Sequence, residues 1–164
     1  MERSYMMRVL SILALAALVA AGGCSSKKTV YDSNGNTVTS DSNGKTVTVQ
    51  SSGGTMTMGQ SAVDLSKLGV PVYPGATQSS GGFSYNGSHG SGQMTSLTTG
   101  DAFDKVYAWY KSQLPKDAEK MKSSSGDSSF AEFVTGAAGS PQTTVMISSK
   151  GDQTSIVLSK GSSQ

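Results

Sequence analysis

The stretch that decides the fold is Asp101-Ala-Phe-Asp-Lys-Val-Tyr-Ala-Trp-Tyr-Lys-Ser-Gln-Leu114. Its large apolar residues recur at helical spacing, which predicts one amphipathic helix with a single buried stripe. The members of that stripe are Phe103, Val106, Tyr107, Tyr110 and Leu114. Asp101 is the predicted N-cap, since a carboxylate there can accept hydrogen bonds from the first turn. Pro115 ends the helix, because the residue before a proline avoids helical backbone angles.

Candidate strands flank this helix on both sides, separated by turns that contain glycine. They cover residues 77–85, 93–99, 128–135, 143–149 and 154–160. In the last two strands, apolar residues alternate with polar ones, as in strands with one buried face: Val145, Ile147, Ile156 and Leu158. The sequence therefore predicts a globular α+β domain in residues 61–164, with an antiparallel sheet of about five strands and one helix packed on one face.

A nine-residue repeat lies ahead of this domain. Asp32-Ser-Asn-Gly-Asn-Thr-Val-Thr-Ser40 is followed by Asp41-Ser-Asn-Gly-Lys-Thr-Val-Thr-Val49 and by the weaker Gln50-Ser-Ser-Gly-Gly-Thr-Met-Thr-Met58. The Asn-Gly pairs favour type I′ turns, and the Thr-Val-Thr stretches favour strands. We expect a short β-repeat stalk in residues 24–60, either as a mobile spacer or as an ordered meander propped against the domain or against another copy.

The amino terminus has the layout of an export signal. Met1–Arg8 carries two arginines against one glutamate, and Val9–Ala21 contains no charge. As a helix this uncharged run would span only about 20 Å, whereas a bilayer core requires about 20 residues. The small residues that follow, up to Gly23, are typical of a cleavage site, so residues 1–23 are predicted to be a signal peptide.

Ala21-Gly22-Gly23-Cys24, which ends in the only cysteine of the chain, resembles the lipobox of bacterial lipoproteins. The resemblance implies cleavage between Gly23 and Cys24, a diacylglycerol and a further acyl chain such as palmitate on Cys24, and attachment to a membrane of the cell envelope. Two or three acyl chains would hold the protein firmly, since each buried methylene contributes about 0.8 kcal/mol. Ser25 resembles the pattern that directs lipoproteins to the periplasmic face of the outer membrane in Gram-negative cells.

The domain itself has a second resemblance, over about residues 69–160. Val72-Tyr-Pro-Gly-Ala76, together with Val106, Tyr110 and Leu114 of the helix, is similar to a domain of uncharacterised bacterial envelope proteins that share a Tyr-Pro-Gly-Ala corner. This resemblance implies an envelope setting and a fold. It implies no activity.

The residues that usually carry chemistry are sparse. Beyond Cys24 the chain has no arginine, and its lysines outnumber its acids by one, which argues against nucleic acid as a partner. A single histidine, His89, lies in a glycine- and serine-rich stretch, and no Gly-x-Ser-x-Gly elbow marks a nucleophile. Asp32 and Asp41 are too few for calcium, which takes six to eight oxygen ligands, so we expect them to shape turns. No metal or cofactor is predicted.

Three functional classes remain. The first is a non-catalytic envelope lipoprotein, structural or bound to another envelope protein. The second is a carrier or sensor of a small apolar ligand, held in a gap between helix and sheet that Tyr107, Trp109 and Tyr110 would face. The third, a hydrolase, has the least support, because the acids near residues 117–132 alternate with lysines, as on a solvated surface. A deep cavity would favour the carrier, whereas a filled core with an exposed edge strand would favour the protein-binding class.

Overall fold

The computed structural model describes residues 27–79, 81–137 and 139–163. These residues contain one 3-10 turn, Leu65–Lys67, and one α-helix, α1, Phe103–Gln113. The strands, in chain order, are β1 Lys28–Tyr31, β2 Thr37–Ser40, β3 Thr46–Ser51, β4 Gly54–Gly59, β5 Thr77–Gln78, β6 Gly82–Gly87, β7 Gly90–Thr99, β8 Glu119–Ser125, β9 Ser128–Thr135, β10 Gln142–Lys150 and β11 Gln153–Ser163.

All eleven strands belong to a single sheet in which each pair is antiparallel. Its spatial order is β1-β2-β3-β4-β6-β7-β11-β10-β9-β8, and the short β5 pairs with β7 beside this path. The prediction of an α+β fold whose sheet has about five strands is therefore wrong. The described part of the chain is mainly β, with one α-helix.

Strand pairing joins the repeat to the rest of the sheet. β1 to β4 form successive hairpins. β4 then pairs with β6, with Thr57 opposite Ser84. Within the repeat, Val38 lies opposite Val49 and Val49 opposite Met56, so the apolar residues form a small cluster on one face. Of the two alternatives for the repeat, the ordered meander describes residues 28–59, and it extends the sheet instead of leaning on it.

The turns of the repeat differ from the type I′ turns that the sequence predicted. Those turns need positive φ at both central residues, whereas in the described residues only glycines have positive φ. In the first unit the Gly35 N–H donates to the Asp32 carbonyl at 3.2 Å, and Gly35 has a φ of 78°. The Asp32 carboxylate accepts from the N–H groups of Asn34 at 2.8 Å and Asn36 at 2.9 Å. Asp32 therefore shapes the turn, as expected.

Helix α1 packs on one face of the half of the sheet formed by β7, β11, β10 and β9. It begins after Ala102, whose side chain makes no capping bond. The Asp101 carboxylate, predicted to be the N-cap, instead accepts hydrogen bonds from Tyr73 Oη at 2.7 Å and Lys105 Nζ at 2.9 Å. The predicted stripe is confirmed as buried except for Tyr107, which is half-buried. The stripe packs in one core with Leu97, Ala131, Phe133, Val145, Ile147, Ile156 and Leu158.

Two parts of the sheet lay outside the predicted strands. β8 was missed, because almost all its side chains are exposed and its Lys and Ser residues give no apolar alternation. The expected loop at residues 86–92 belongs mostly to β6 and β7, which meet in a tight turn at Ser88-His89 with Gly87 opposite Gly90. The bounds of β9 are those that the sequence predicted.

Candidate functional site

Aromatic side chains pack between helix and sheet in the described residues. Tyr110 is 0% exposed, and its ring meets the Trp109 ring edge-on at a centroid distance of 4.8 Å. Trp109 also meets Tyr73 edge-on at 5.3 Å. The rings of Tyr107 and Tyr110 lie 5.8 Å and 6.4 Å from that of Phe133. These are ordinary aromatic packing distances, so Tyr107, Trp109 and Tyr110 contribute to the core and its rim.

The hydroxyl of Tyr110 is an exception in this well-packed core. It has no hydrogen bond of good geometry among the described residues, although the Tyr73 backbone N–H lies nearby. Burial raises the pKa of Tyr110 far above its ordinary value of 10.0. The group therefore stays neutral at physiological pH, and its role is packing.

Tyr107 belongs to a charged network at the rim of the helix. Its hydroxyl donates to Glu119 Oε1 at 2.8 Å and accepts from Lys111 Nζ at 2.9 Å, while Lys111 and Glu119 form an ion pair at 3.0 Å. Lys122 Nζ lies 4.0 Å from the centroid of the Tyr107 ring. The hydrogen bonds from Lys111 and Tyr107 lower the pKa of the Glu119 carboxyl. Because these groups bond to one another, the network stabilises the helix end and offers no free acid or base.

The remaining residues considered for chemistry are dispersed. His89 is exposed in the β6–β7 turn. Among the described residues, no group of three or more His, Cys, Asp or Glu side chains could hold a metal ion. Gly23 and Cys24 lie outside the described residues.

The described part of the chain contains no helix long and apolar enough to cross a membrane.

An open groove of about 900 Å³ lies on the face of the sheet that α1 also covers, since Gln93 and Lys160 alternate in step with the core residues Leu97 and Ile156. Its floor consists of two rows of polar side chains that cross β4, β6, β7 and β11 in register. One row is Thr55, Asn86, Ser91 and Ser162, and the other is Thr57, Ser84, Gln93 and Lys160. All eight residues line the groove, so the strand register itself produces the array.

The polarity of this face changes along the same strands. Toward the helix, β7 and β11 contribute Leu97 and Ile156 to the buried core, whereas Ser91 and Ser162 at their other ends lie in the groove. Hydroxyl and amide groups thus occupy the part of the face that the helix leaves open.

One wall of the groove is the segment between β4 and β5, which contributes Ser61, Ala62, Asp64 and Lys67. It is attached to the floor through Lys160 Nζ, which donates to the Lys67 carbonyl at 2.8 Å. Gly82 lets the segment lie close to the sheet, because a Cβ atom there would stand only 2.5 Å from Val63 Cγ2. The wall is therefore part of the fold and not a loose loop over it.

Half of the floor has no partner within the protein. Among the described residues, the side chains of Thr55, Ser84, Asn86 and Gln93 form no hydrogen bond. Ser91 and Ser162 bond each other at 3.1 Å, and Thr57 bonds Thr48 of β3 at 3.3 Å. The unpaired groups leave donors and acceptors directed at the groove.

Sequence reasoning missed the groove, since it depends on residues far apart in the chain that only the strand register brings together. The Thr-x-Thr pattern of the repeat was its one local signal. That pattern favours strands in general, and Thr55 and Thr57 gave no sign of the partners that β6, β7 and β11 supply.

The β8 strand forms an edge of the sheet within the described residues, next to β9. Apart from Glu119 its side chains are exposed, and Met121 is 48% exposed. The strand turns into β9 through Gly126-Asp127, with Ser125 opposite Ser128. One side of its backbone is therefore open to another strand.

The chain matches no protein-family model, no curated protein and no solved structure.

Proposed function

We propose that the protein is a membrane-anchored cell-envelope lipoprotein without catalytic activity that binds another envelope protein. The lipobox-like ending of the signal supports the anchor on Cys24, at the periplasmic face of the outer membrane in a Gram-negative cell. One observation favours protein binding over the transport of an apolar ligand. Aromatic rings pack the helix–sheet interface, whereas the β8 edge of the sheet stays open.

The anchor would orient the sheet. Only Ser25–Lys27 separate Cys24 from β1, and such a segment extends no more than about 14 Å. Lys27 and Lys28 would lie near anionic headgroups, where each adds about 1 kcal/mol of attraction. The β8 strand lies at the opposite end of the strand order, up to about 43 Å away at roughly 4.8 Å per strand. This arrangement would direct the β8 edge away from the bilayer.

Strand addition is the mode of binding that an open edge supports. Beside a two-residue turn, Ser125 and Ser128 form the hydrogen-bonded pair, so the next pair, Ser124 and Ser129, does not exchange backbone bonds. The N–H of Ser124 therefore points outward. Lysines on an edge strand discourage unspecific pairing with other strands. Because Lys120 and Lys122 lie in the first part of β8, the part accessible to an added strand is Ser123–Ser125.

Two substitutions at one position test this surface. Ser124→Pro removes the outward N–H, and Ser124→Ala keeps it, while both lose the hydroxyl that bonds Ser129 at 3.0 Å. Proline is tolerated on an edge strand when its missing N–H faces solvent. Tagged full-length variants are crosslinked in the native envelope, and captured proteins are identified by mass spectrometry.

We expect the wild type and Ser124→Ala to capture the same protein and Ser124→Pro to lose most of it. Capture of that protein by all three would show that the β8 edge is not its binding surface. Capture of none would favour a purely structural lipoprotein.

A further inference from the structure

We infer that the groove on the α1 face of the sheet is a binding site for an extended polysaccharide, which lies along the two polar rows and across four strands of the sheet. This goes beyond the proposed protein binding at β8. It depends neither on the lipid anchor nor on that edge, because the groove is formed by β4, β6, β7, β11 and the wall at residues 61–67.

The spacing of the floor fits a polysaccharide better than a peptide. Each row presents one polar side chain per strand, at the interstrand distance of about 4.8 Å. A pyranose unit linked through opposite ends of its ring advances by nearly this distance. An extended peptide advances about 3.3 Å per residue, so its groups would drift out of step with the rows.

The chemistry of the floor agrees with that geometry. Hydroxyl and carboxamide groups can both donate and accept hydrogen bonds, as can the hydroxyls of a sugar. Thr55, Ser84, Asn86 and Gln93 have no partner in the described residues, so a ligand would not have to break protein hydrogen bonds to reach them. Recognition of peptides usually adds apolar pockets for side chains, and the eight side chains of the floor offer none.

Charge and aromatic content define the ligand further. The groove holds two lysines, Lys67 and Lys160, against Asp64, which pairs with Lys67 at 3.4 Å. The groove therefore suits a neutral or weakly acidic polysaccharide. Tyr85 also borders the groove, but it alternates with Ser84 and Asn86 along β6, so its ring is directed to the opposite face of the sheet, and its hydroxyl donates to the Gly53 carbonyl at 3.2 Å. Without a stacking platform, affinity accumulates from hydrogen bonds along the rows and depends on ligand length.

The test is calorimetric titration of the full-length protein in detergent with β-1,4-linked N-acetylglucosamine oligomers. Since the rows cross four strands, the tetramer should bind about tenfold more tightly than the dimer, and longer oligomers should add little. Gln93→Ala combined with Ser84→Ala should weaken tetramer binding about tenfold, through the loss of two hydrogen-bonding side chains. Gln50→Ala is the matched control, because Gln50 lies on the same face in β3 but outside the groove.

Saturable binding that shows this length dependence and falls in the double variant, but not in Gln50→Ala, supports the site. Absence of saturable tetramer binding overturns it, as does binding that the double variant leaves unchanged. Competition by an extended Gly-Ser peptide at lower concentration than the tetramer would assign the groove to peptide and also overturn the proposal. Melting curves of each variant confirm that the fold is intact, since neither replaced side chain has a hydrogen-bond partner in the described residues.

Discussion

Replacing Tyr110 with phenylalanine removes only a hydroxyl from the centre of the core. The side chain is 0% exposed and packs against Trp109 and Phe133, and its hydroxyl lacks a hydrogen bond of good geometry in the described residues. A buried polar group without a partner costs about 1–3 kcal/mol. Because the ring contacts survive, we expect Tyr110→Phe to raise the free energy of unfolding by about 1 kcal/mol at neutral pH. Tyr110→Ala should lower it by about 3–5 kcal/mol.

The difference between wild type and Tyr110→Phe should grow in alkali. Burial raises the folded-state pKa of Tyr110 above its ordinary value of 10.0, so the folded protein keeps a proton that the unfolded chain releases. The stability linked to that proton is fully present below about pH 10. It is lost as the pH rises toward the folded-state pKa, by up to about 1.4 kcal/mol per pH unit. The phenylalanine variant has no proton to lose at this position.

Urea unfolding of the full-length chain in detergent measures both effects. Trp109 is the only tryptophan and lies edge-on to Tyr110, so its fluorescence reports on this part of the core. Titrations at neutral pH and at about pH 11 give the two differences in stability. If Tyr110→Phe is less stable than the wild type at neutral pH by about 1 kcal/mol, the hydroxyl is well hydrogen-bonded, and the reasoning is refuted.

Cys24→Ser should abolish incorporation of a clickable fatty acid and leave uncut precursor, and a variant that still takes up label would contradict the proposed anchor. The pKa of Asp101 is lowered by its bonds from Lys105 and Tyr73, so this carboxylate stabilises the fold above about pH 4 and the contribution is lost as the pH falls. Tyr73→Phe should raise the Asp101 pKa, as followed by carboxyl NMR titration. An unchanged pKa would mean that the Tyr73 hydroxyl does not stabilise the Asp101 carboxylate. Deleting Asp41–Val49 should preserve the sheet, whereas deleting Ser42–Val49 should disrupt the repeat, as hydrogen exchange would show.

The sequence predicted the elements whose signal is local. Helix α1 and its stripe followed from the spacing of Phe103, Val106 and Tyr110, and the last two strands followed from alternating apolar residues. The N-cap was misplaced because Asp101 bonds Tyr73, which is distant in sequence. Such a partner competes with the local capping bond and leaves no trace in the helix sequence itself.

What could not be predicted depends on pairing between distant strands. The sequence left open whether the repeat is a mobile spacer or an ordered meander, because each of its strands has few apolar residues. Hydrogen bonding between β4 and β6 instead lets those strands share a sheet that has a large core elsewhere. The groove has the same origin, since Thr55 acquires its neighbours Asn86 and Ser91 only through the register. An edge strand such as β8 needs little burial and so carries no apolar pattern.

The nine-residue period should matter because it keeps side chains on the correct face. Removing Asp41–Val49 joins Ser40 to Gln50, so that Thr37–Ser40 can take the place of β3 beside β4 and the Ser52-Gly53 turn is retained. Inward and outward positions are preserved, with Ser40 where Val49 was. The sheet loses one strand at the end away from the core that helix α1 covers, and the melting temperature should fall by only about 2–4 °C, as expected for about 1 kcal/mol.

Removing only Ser42–Val49 shifts every position by one, which exchanges the two faces of the strand. Asp41 then takes the position of Val49, whose side chain is only 6% exposed. Val38 takes the position of Thr46. A buried carboxylate without a partner costs several kcal/mol, more than a terminal strand contributes, so Thr37–Ser40 should separate from β4. Amide hydrogen exchange of Thr37–Ser40 should then be slow in the nine-residue deletion and fast in the eight-residue one. Equal exchange rates in both deletions would mean that the nine-residue period does not determine how the repeat strands pair with β4.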